Sequence, residues 1–173
     1  MSVFTKYFNS HFLNEHVQGH HKYMCTPEDG ASSHKNESVW AFLVREYWMG
    51  RLAVWKREVK RIKKEFGQDT SVINLVLYNQ MFWLQILHLS ILVVIYHFLG
   101  WQSLKFQLWY VFWGNFWLGG GNYIEHYGIN RKKDKNGIYE SVGKMHSWNA
   151  PGSALFFQLH RHSDHHMAAF RPY

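Results

Sequence analysis

Two long stretches of this chain are almost free of charge, and they dictate its architecture. The first runs from Val72 to Leu99, 28 residues. At about 1.5 Å of helical rise per residue it extends roughly 42 Å, more than the roughly 30 Å hydrocarbon core of a bilayer requires, so tilt or a protruding end absorbs the excess. After Gly100 a second apolar run, Leu104 to about Tyr127, carries Trp109, Phe112, Trp113, Phe116 and Trp117, interrupted only by Lys105 at its entrance and Glu125 near its end. Together they predict a two-span membrane hairpin over about 72–127. Ahead of it, Phe4 to Tyr23 predicts one helix ending before the turn Thr26-Pro27-Glu28-Asp29-Gly30, and Ala31 to Glu37 a polar loop. From Ser38 a further helix is expected, with Trp40, Phe42, Leu43, Tyr47, Trp48, Leu52 and Trp55 as its apolar stripe.

Charge gives the hairpin a direction. Arg51, Lys56, Arg57, Lys60, Arg61, Lys63 and Lys64 precede it and Arg131, Lys132, Lys133 and Lys135 follow it, while the turn near Gly100 has almost no charge. The positive-inside rule puts both clusters in the cytosol. The formal charge of +7 therefore reads as membrane association. No fold or motif that reads a nucleic-acid groove accompanies it, so nucleic acid is not an expected partner. Gln85, His88 and His97 are polar for a span and would suit core helices of a soluble protein, but the charge asymmetry argues against that. A mean hydropathy of -0.33 hides this segregation. Aromatic residues make up 18%, with nine Trp and thirteen Phe, far above ordinary usage. At 173 residues one domain is expected over 1–173, with no repeat, no signal peptide in Met1 to Asn14, and Pro only at Pro27, Pro151 and Pro172.

The chemistry lies in the histidines. Thirteen of them against one cysteine, Cys25, exclude a disulfide framework and any Cys-rich metal site within one chain, so a metal here must be held by nitrogen. Glu15-His16-Val17-Gln18-Gly19-His20-His21 places His16 and His20 one turn apart on a helix, with His21 about 100° round. His162-Ser163-Asp164-His165-His166 stacks His162 over His165 and His166. Asn122-Tyr123-Ile124-Glu125-His126-Tyr127-Gly128 brings His126 to the cytosolic end of the second span, so one membrane face collects all three clusters. His16, His20, His21, His126, His162, His165 and His166 are too many for one tetrahedral zinc and suit two metals, with zinc, copper, iron and nickel all open by ligand type. Of the other histidines, His88 and His97 are expected to lodge against the neighbouring helix and His34 on the surface. His11, His146 and His160 lie within reach of a cluster.

These segments resemble the integral-membrane alkane 1-monooxygenases within the wider fatty-acid desaturase and hydroxylase superfamily. Phe12 to His21 followed by Thr26-Pro27-Glu28-Asp29 resembles the family's second histidine box and its downstream segment. Asn122 to Gly128 resembles the motif that separates alkane hydroxylases from desaturases, and His146-Ser147-Trp148-Asn149 with Phe157 to His166 resembles its closing segment and third box. The resemblance implies an all-α fold of membrane helices and cytosolic helices that carries a di-iron site on the seven histidines named above. It implies hydroxylation of the terminal carbon of an alkane or similar hydrocarbon by O2, with a rubredoxin-type electron donor. His160 stands where the family usually has Gln and is not carried over. Glu15, Glu125, Asp164 and His146 are expected behind the ligands, orienting them and offsetting charge. A first box of the form HExxHK is expected some tens of residues before His16, and the fifteen residues there hold none, so two further ligands are expected from a longer gene product or another chain. The alternatives are a fatty-acid desaturase or hydroxylase acting on an acyl chain, and an inactive membrane fragment that binds a metal or a partner.

Overall fold

The computed structural model describes residues 6–149 and 161–168, and among these the chain is helical, with one isolated bridge between Lys133 and Tyr139 and no strand. The expected helix start at Phe4, and His160, Pro151 and Pro172, lie outside the described residues. In chain order the elements are α1 (Phe12–Glu15), a π-helical turn (His16–His20), α2 (His21–Tyr23), α3 (Val39–Phe66), α4 (Val72–Leu77), α5 (Gln80–Glu125), a 3-10 turn (Lys144–His146) and α6 (His162–Met167). By internal contacts the chain forms two units, Met1–His16 with Trp48–Trp117, and Val17–Tyr47 with Leu118–Tyr173.

Three expectations from the hydrophobic pattern are corrected. The first apolar run does not form one 28-residue helix: it breaks at Tyr78 and Asn79, and α5 begins at Gln80. The polar side chains there make the new start, because Asn79 Oδ1 accepts from Met81 N at 2.9 Å and Glu58 Oε2 accepts from Gln80 N at 3.0 Å. Secondly, the apolar stripe expected on α3 is only partly buried, with Phe42 enclosed but Trp40 61% exposed and Trp48 59%. The buried positions are Phe42, Gly50, Val54, Glu58 and Ile62, an i, i+4 row in which small residues let neighbouring chain approach. Thirdly, His97 is exposed, its ring meeting the edge of Phe98, while His88 is buried against Phe8 and Ser10 of the N-terminal segment.

Gly100 interrupts α5 with φ 76° and ψ -179°, a conformation open essentially to glycine alone. In the first unit the N-terminal segment touches both sides of this break. Phe8 stacks on His88 at 4.8 Å and Ser10 Oγ hydrogen-bonds His88 Nε2 at 2.9 Å. Tyr7 stacks on Tyr110 at 4.9 Å, and its carbonyl accepts from Asn115 Nδ2 at 2.7 Å. The Tyr7 ring lies directly over Gly114, where a methyl group would overlap it. Gly114→Ala is therefore expected to unseat Tyr7 at a cost of about 1–3 kcal/mol, the usual range for overpacking. A lowered thermal-unfolding midpoint in detergent checks this, and an unchanged one would refute the packing described.

Candidate metal centre

In the second unit, the chain arriving from the π turn enters a set of buried imidazoles. The turn over His16–His20 closes i to i+5 rather than i to i+4 hydrogen bonds, so the α-helix expected for this segment is corrected to a π turn. His20 joins His126, His162 and His166: all four are buried, and their ligand nitrogens lie within 4.8 Å of one another. The contacts run between Nε2 atoms, His20 to His166 at 3.2 Å, His126 to His162 at 3.1 Å and His162 to His166 at 2.8 Å. His21 and His165 meet separately, Nε2 to Nε2, at 3.1 Å. His16 is the last residue of the first unit.

The backs of two rings fix which nitrogen carries the proton. His20 Nδ1 faces Asp29 Oδ2 at 2.9 Å, and His126 Nδ1 faces the His146 carbonyl at 3.1 Å. Both partners only accept, so both Nδ1 atoms donate and both Nε2 atoms present lone pairs. Neutral His162 and His166 bring at most two Nε2 protons to three Nε2 contacts. The third contact is satisfied only by added positive charge, as a proton or as a metal ion. Nitrogens about 2.1 Å from one ion stand about 3.0–3.4 Å apart, so the donor set fits a transition metal with little movement.

Local chain geometry supplies each ligand. His126 follows the last residue of α5, whose terminal carbonyls are capped: the Glu125 carbonyl accepts from Trp148 N at 2.7 Å and Ser147 Oγ at 3.1 Å. The opposite cap is made by Asn149, whose Oδ1 accepts from Ser163 N at 3.0 Å at the start of α6 and whose Nδ2 donates to Ser163 Oγ at 2.8 Å. The segment resembling the family's closing motif thus joins the helix ends that carry His126 and His162. His146 contributes through its carbonyl, while its side chain meets Glu140 at 3.3 Å. Glu125 Oε2 lies 3.3 Å from His162 Nε2, on the ligating side of the ring. Asp164 lies 3.7 Å from Arg161, and Glu15 pairs with Arg57. His34 is exposed, as expected, and His11 is buried in the first unit, where burial and the nearby Arg51 bring it down to about 3.

Several residues that the sequence reading passed over belong here. Asp29 is 1% exposed behind His20. Burial alone would raise its pKa, but His20 and hydrogen bonds from His20, Ser32 and Ala31 hold it below the usual carboxylate range. The Ala31 N to Asp29 Oδ1 bond, 3.1 Å, is an Asx turn, and Asp-Gly in a turn was the available signal. Cys25, at φ 58°, donates from Sγ to the His146 carbonyl at 3.1 Å, and burial pushes its thiol up to about 12, so it is a neutral thiol and not a thiolate ligand. Glu46 accepts from Asn122 Nδ2 at 2.6 Å, and burial pushes it up to about 7.

The imidazoles are held well below their ordinary range. Burial, then the neighbouring His165 and His20, brings His21 down to about 4, and burial lowers His165 and His166 as well. Unfolded rings titrate near about 6.5, so below that pH the unfolded chain binds more protons than the folded one. Stability of the metal-free chain is therefore expected to be full above about pH 6.5 and to fall from there down through about pH 4. Thermal unfolding of chelator-treated protein across that window tests this; a flat profile would contradict neutral, clustered imidazoles.

Comparison with known proteins gives one result throughout. The family model described as fatty acid desaturase matches residues 5–173. Alkane 1-monooxygenase 1 of Pseudomonas aeruginosa is 37% identical over 169 residues, covering 94% of this chain and 42% of the relative. Alkane 1-monooxygenase 2 of Alcanivorax borkumensis is 34% identical over 165 residues, covering 94% and 42%, and alkane 1-monooxygenase of Ectopseudomonas oleovorans is 34% identical over 166 residues, covering 94% and 40%. The chain spans about two fifths of the length of these relatives.

Proposed function

Because this chain belongs to the fatty acid desaturase family, we propose that it carries most of a histidine-ligated di-iron centre that hydroxylates the terminal carbon of an alkane with O2. The observation that carries the proposal is the convergence of four buried imidazoles on one point, with too few protons to satisfy their contacts. The relatives named as alkane 1-monooxygenases supply the reaction. We assign one iron to His20, His126, His162 and His166. The second takes His21 and His165, and His16 is proposed as a further ligand on the family resemblance.

When bound, iron supplies the oxidising power that an unactivated C–H bond demands and that no side chain possesses. The protein positions the ligands and keeps water from them. His20 and His126 are locked with Nε2 lone pairs inward by Asp29 and the His146 carbonyl. Glu125, within reach of His162 Nε2, is placed to offset charge on that side. Hydroxylation consumes O2, two electrons and two protons and releases water, and a rubredoxin-type donor is the proposed electron source.

We place α5 in the membrane as a two-span hairpin within one domain over 1–173. Among the described residues it is the one helix long and apolar enough to span, and only 6% of its most apolar window is buried, unlike a soluble core helix. Gln80 to Leu99 covers roughly 30 Å, one hydrocarbon thickness. A straight helix would separate His88 from Tyr110 by roughly 33 Å. Adjacent residues Phe8 and Tyr7 touch both, which supports reversal at Gly100. The basic clusters at both outer ends then put the metal centre on the cytosolic face.

The desaturase family model supports a second reading, an acyl-chain substrate at the same centre. Reconstitution of the detergent-solubilised chain with iron tests both. Two irons per chain, lost on His126→Ala or His166→Ala, with O2 consumption that depends on added alkane, are expected. Consumption that responds to a fatty acyl substrate alone favours the second reading. One iron or none, unchanged by these substitutions, would reduce the chain to an inert fragment.

A further inference from the structure

We infer that Asp29 is the positioning residue that makes His20 a stronger nitrogen donor than His126 within the four-imidazole group, an inference that rests on the metal-centre reading. Of the two rings whose Nδ1 partner is on view, His126 has a neutral carbonyl at 3.1 Å, whereas His20 has a carboxylate at 2.9 Å. Both partners orient the ring. Only the carboxylate adds negative charge to it, which raises the basicity of the opposite nitrogen. The group is therefore electronically lopsided, with His20 a stronger donor than His126.

The carboxylate is pre-set by the loop rather than drawn in by a metal. Asp29 Oδ2 also accepts from Ser32 Oγ at 2.5 Å, and Oδ1 accepts from Ala31 N at 3.1 Å, so a buried charge is compensated by three donors. Ser32 Oγ in turn accepts from Cys25 N at 2.8 Å, closing the loop across its neck. Arg45 fastens the outer side. Its guanidinium donates to the carbonyls of Gly30, at 3.2 Å, and Ser32, at 2.9 Å, while Glu37 holds it through two bonds of 2.8 Å. A rigid planar fork spanning two carbonyls either side of Ala31 leaves the Asp29 side chain little freedom. The arrangement has no other evident use for a wholly buried aspartate.

The test is titration of the full chain in detergent with Co2+ alone, followed by visible absorption, which reports the ligand field as well as occupancy. Asp29→Asn retains an oxygen acceptor for Nδ1 but removes the charge, and Asp29→Ala removes both. Loss of such a partner costs about 10- to 100-fold in metal affinity, so Asn is expected near the low end and Ala near the high end, with shifted absorption bands in Asn. His20→Ala is the reference. If His20→Ala weakens Co2+ binding while both Asp29 variants bind with wild-type affinity and spectrum, the role assigned to Asp29 is wrong and the metal centre stands. If His20→Ala also binds as the wild type does, the metal-centre reading falls and this inference with it. Unfolding of each variant without metal separates a fold defect from a ligand defect: equal metal-free stability with lowered affinity is the expected pattern, and lowered stability with unchanged affinity overturns it.

Discussion

Protons are scarce where the imidazoles meet. Three Nε2 contacts of 2.8–3.2 Å link His20, His166, His162 and His126, and two of the four rings have already committed their protons to acceptors behind them. Neutral rings leave at least one contact with two lone pairs or two N–H groups face to face, and burial opposes the protonation that would relieve it. Such a cluster is high in energy unless positive charge sits inside it. A metal ion turns the same geometry from a liability into the feature that ties distant segments together, which is how metal affinity becomes folding energy.

Much of the second unit can be understood as the means of bringing those nitrogens to one place. The Asp29 loop locks the His20 tautomer. The end of α5 delivers His126, and the segment from His146 to Asn149 meets both that helix end and the start of α6. The Glu125 carbonyl at the end of α5 and the Ser163 N–H at the start of α6 are both capped by this segment. Cys25 takes a left-handed conformation, uncommon for a residue with a side chain, at the point where the chain must turn into the loop. That strain falls next to the site it serves.

The sequence singled out the histidines more readily than their arrangement. His20, His162 and His166 stood out because histidines at helical spacing are rare and informative, and His126 stood out through the segment Asn122 to Gly128. That these four converge was hidden, because it depends on contacts between segments far apart in the chain. The apolar runs announced a membrane helix, yet its start was misplaced by eight residues, since Asn79 and Glu58 cap Gln80 through contacts that periodicity does not encode. The aromatic stripe of α3 misled for a related reason: periodicity identifies an apolar face but not what it faces, and the buried row was the one with Gly50 and Val54. Asp29 was legible as a turn residue and illegible as a partner of His20, because that role depends on the loop folding back across nine positions.

The central claim is that imidazole nitrogen surrounds a metal ion at this point. X-ray absorption at the iron edge of the iron-loaded chain tests it most directly, because it reads the atoms bonded to the metal without reference to activity. Histidine ligation predicts a nearest shell of nitrogen or oxygen near about 2.1 Å followed by the outer scattering of several imidazole rings. A shell of oxygen without the imidazole pattern, or sulfur near about 2.3 Å, would contradict it.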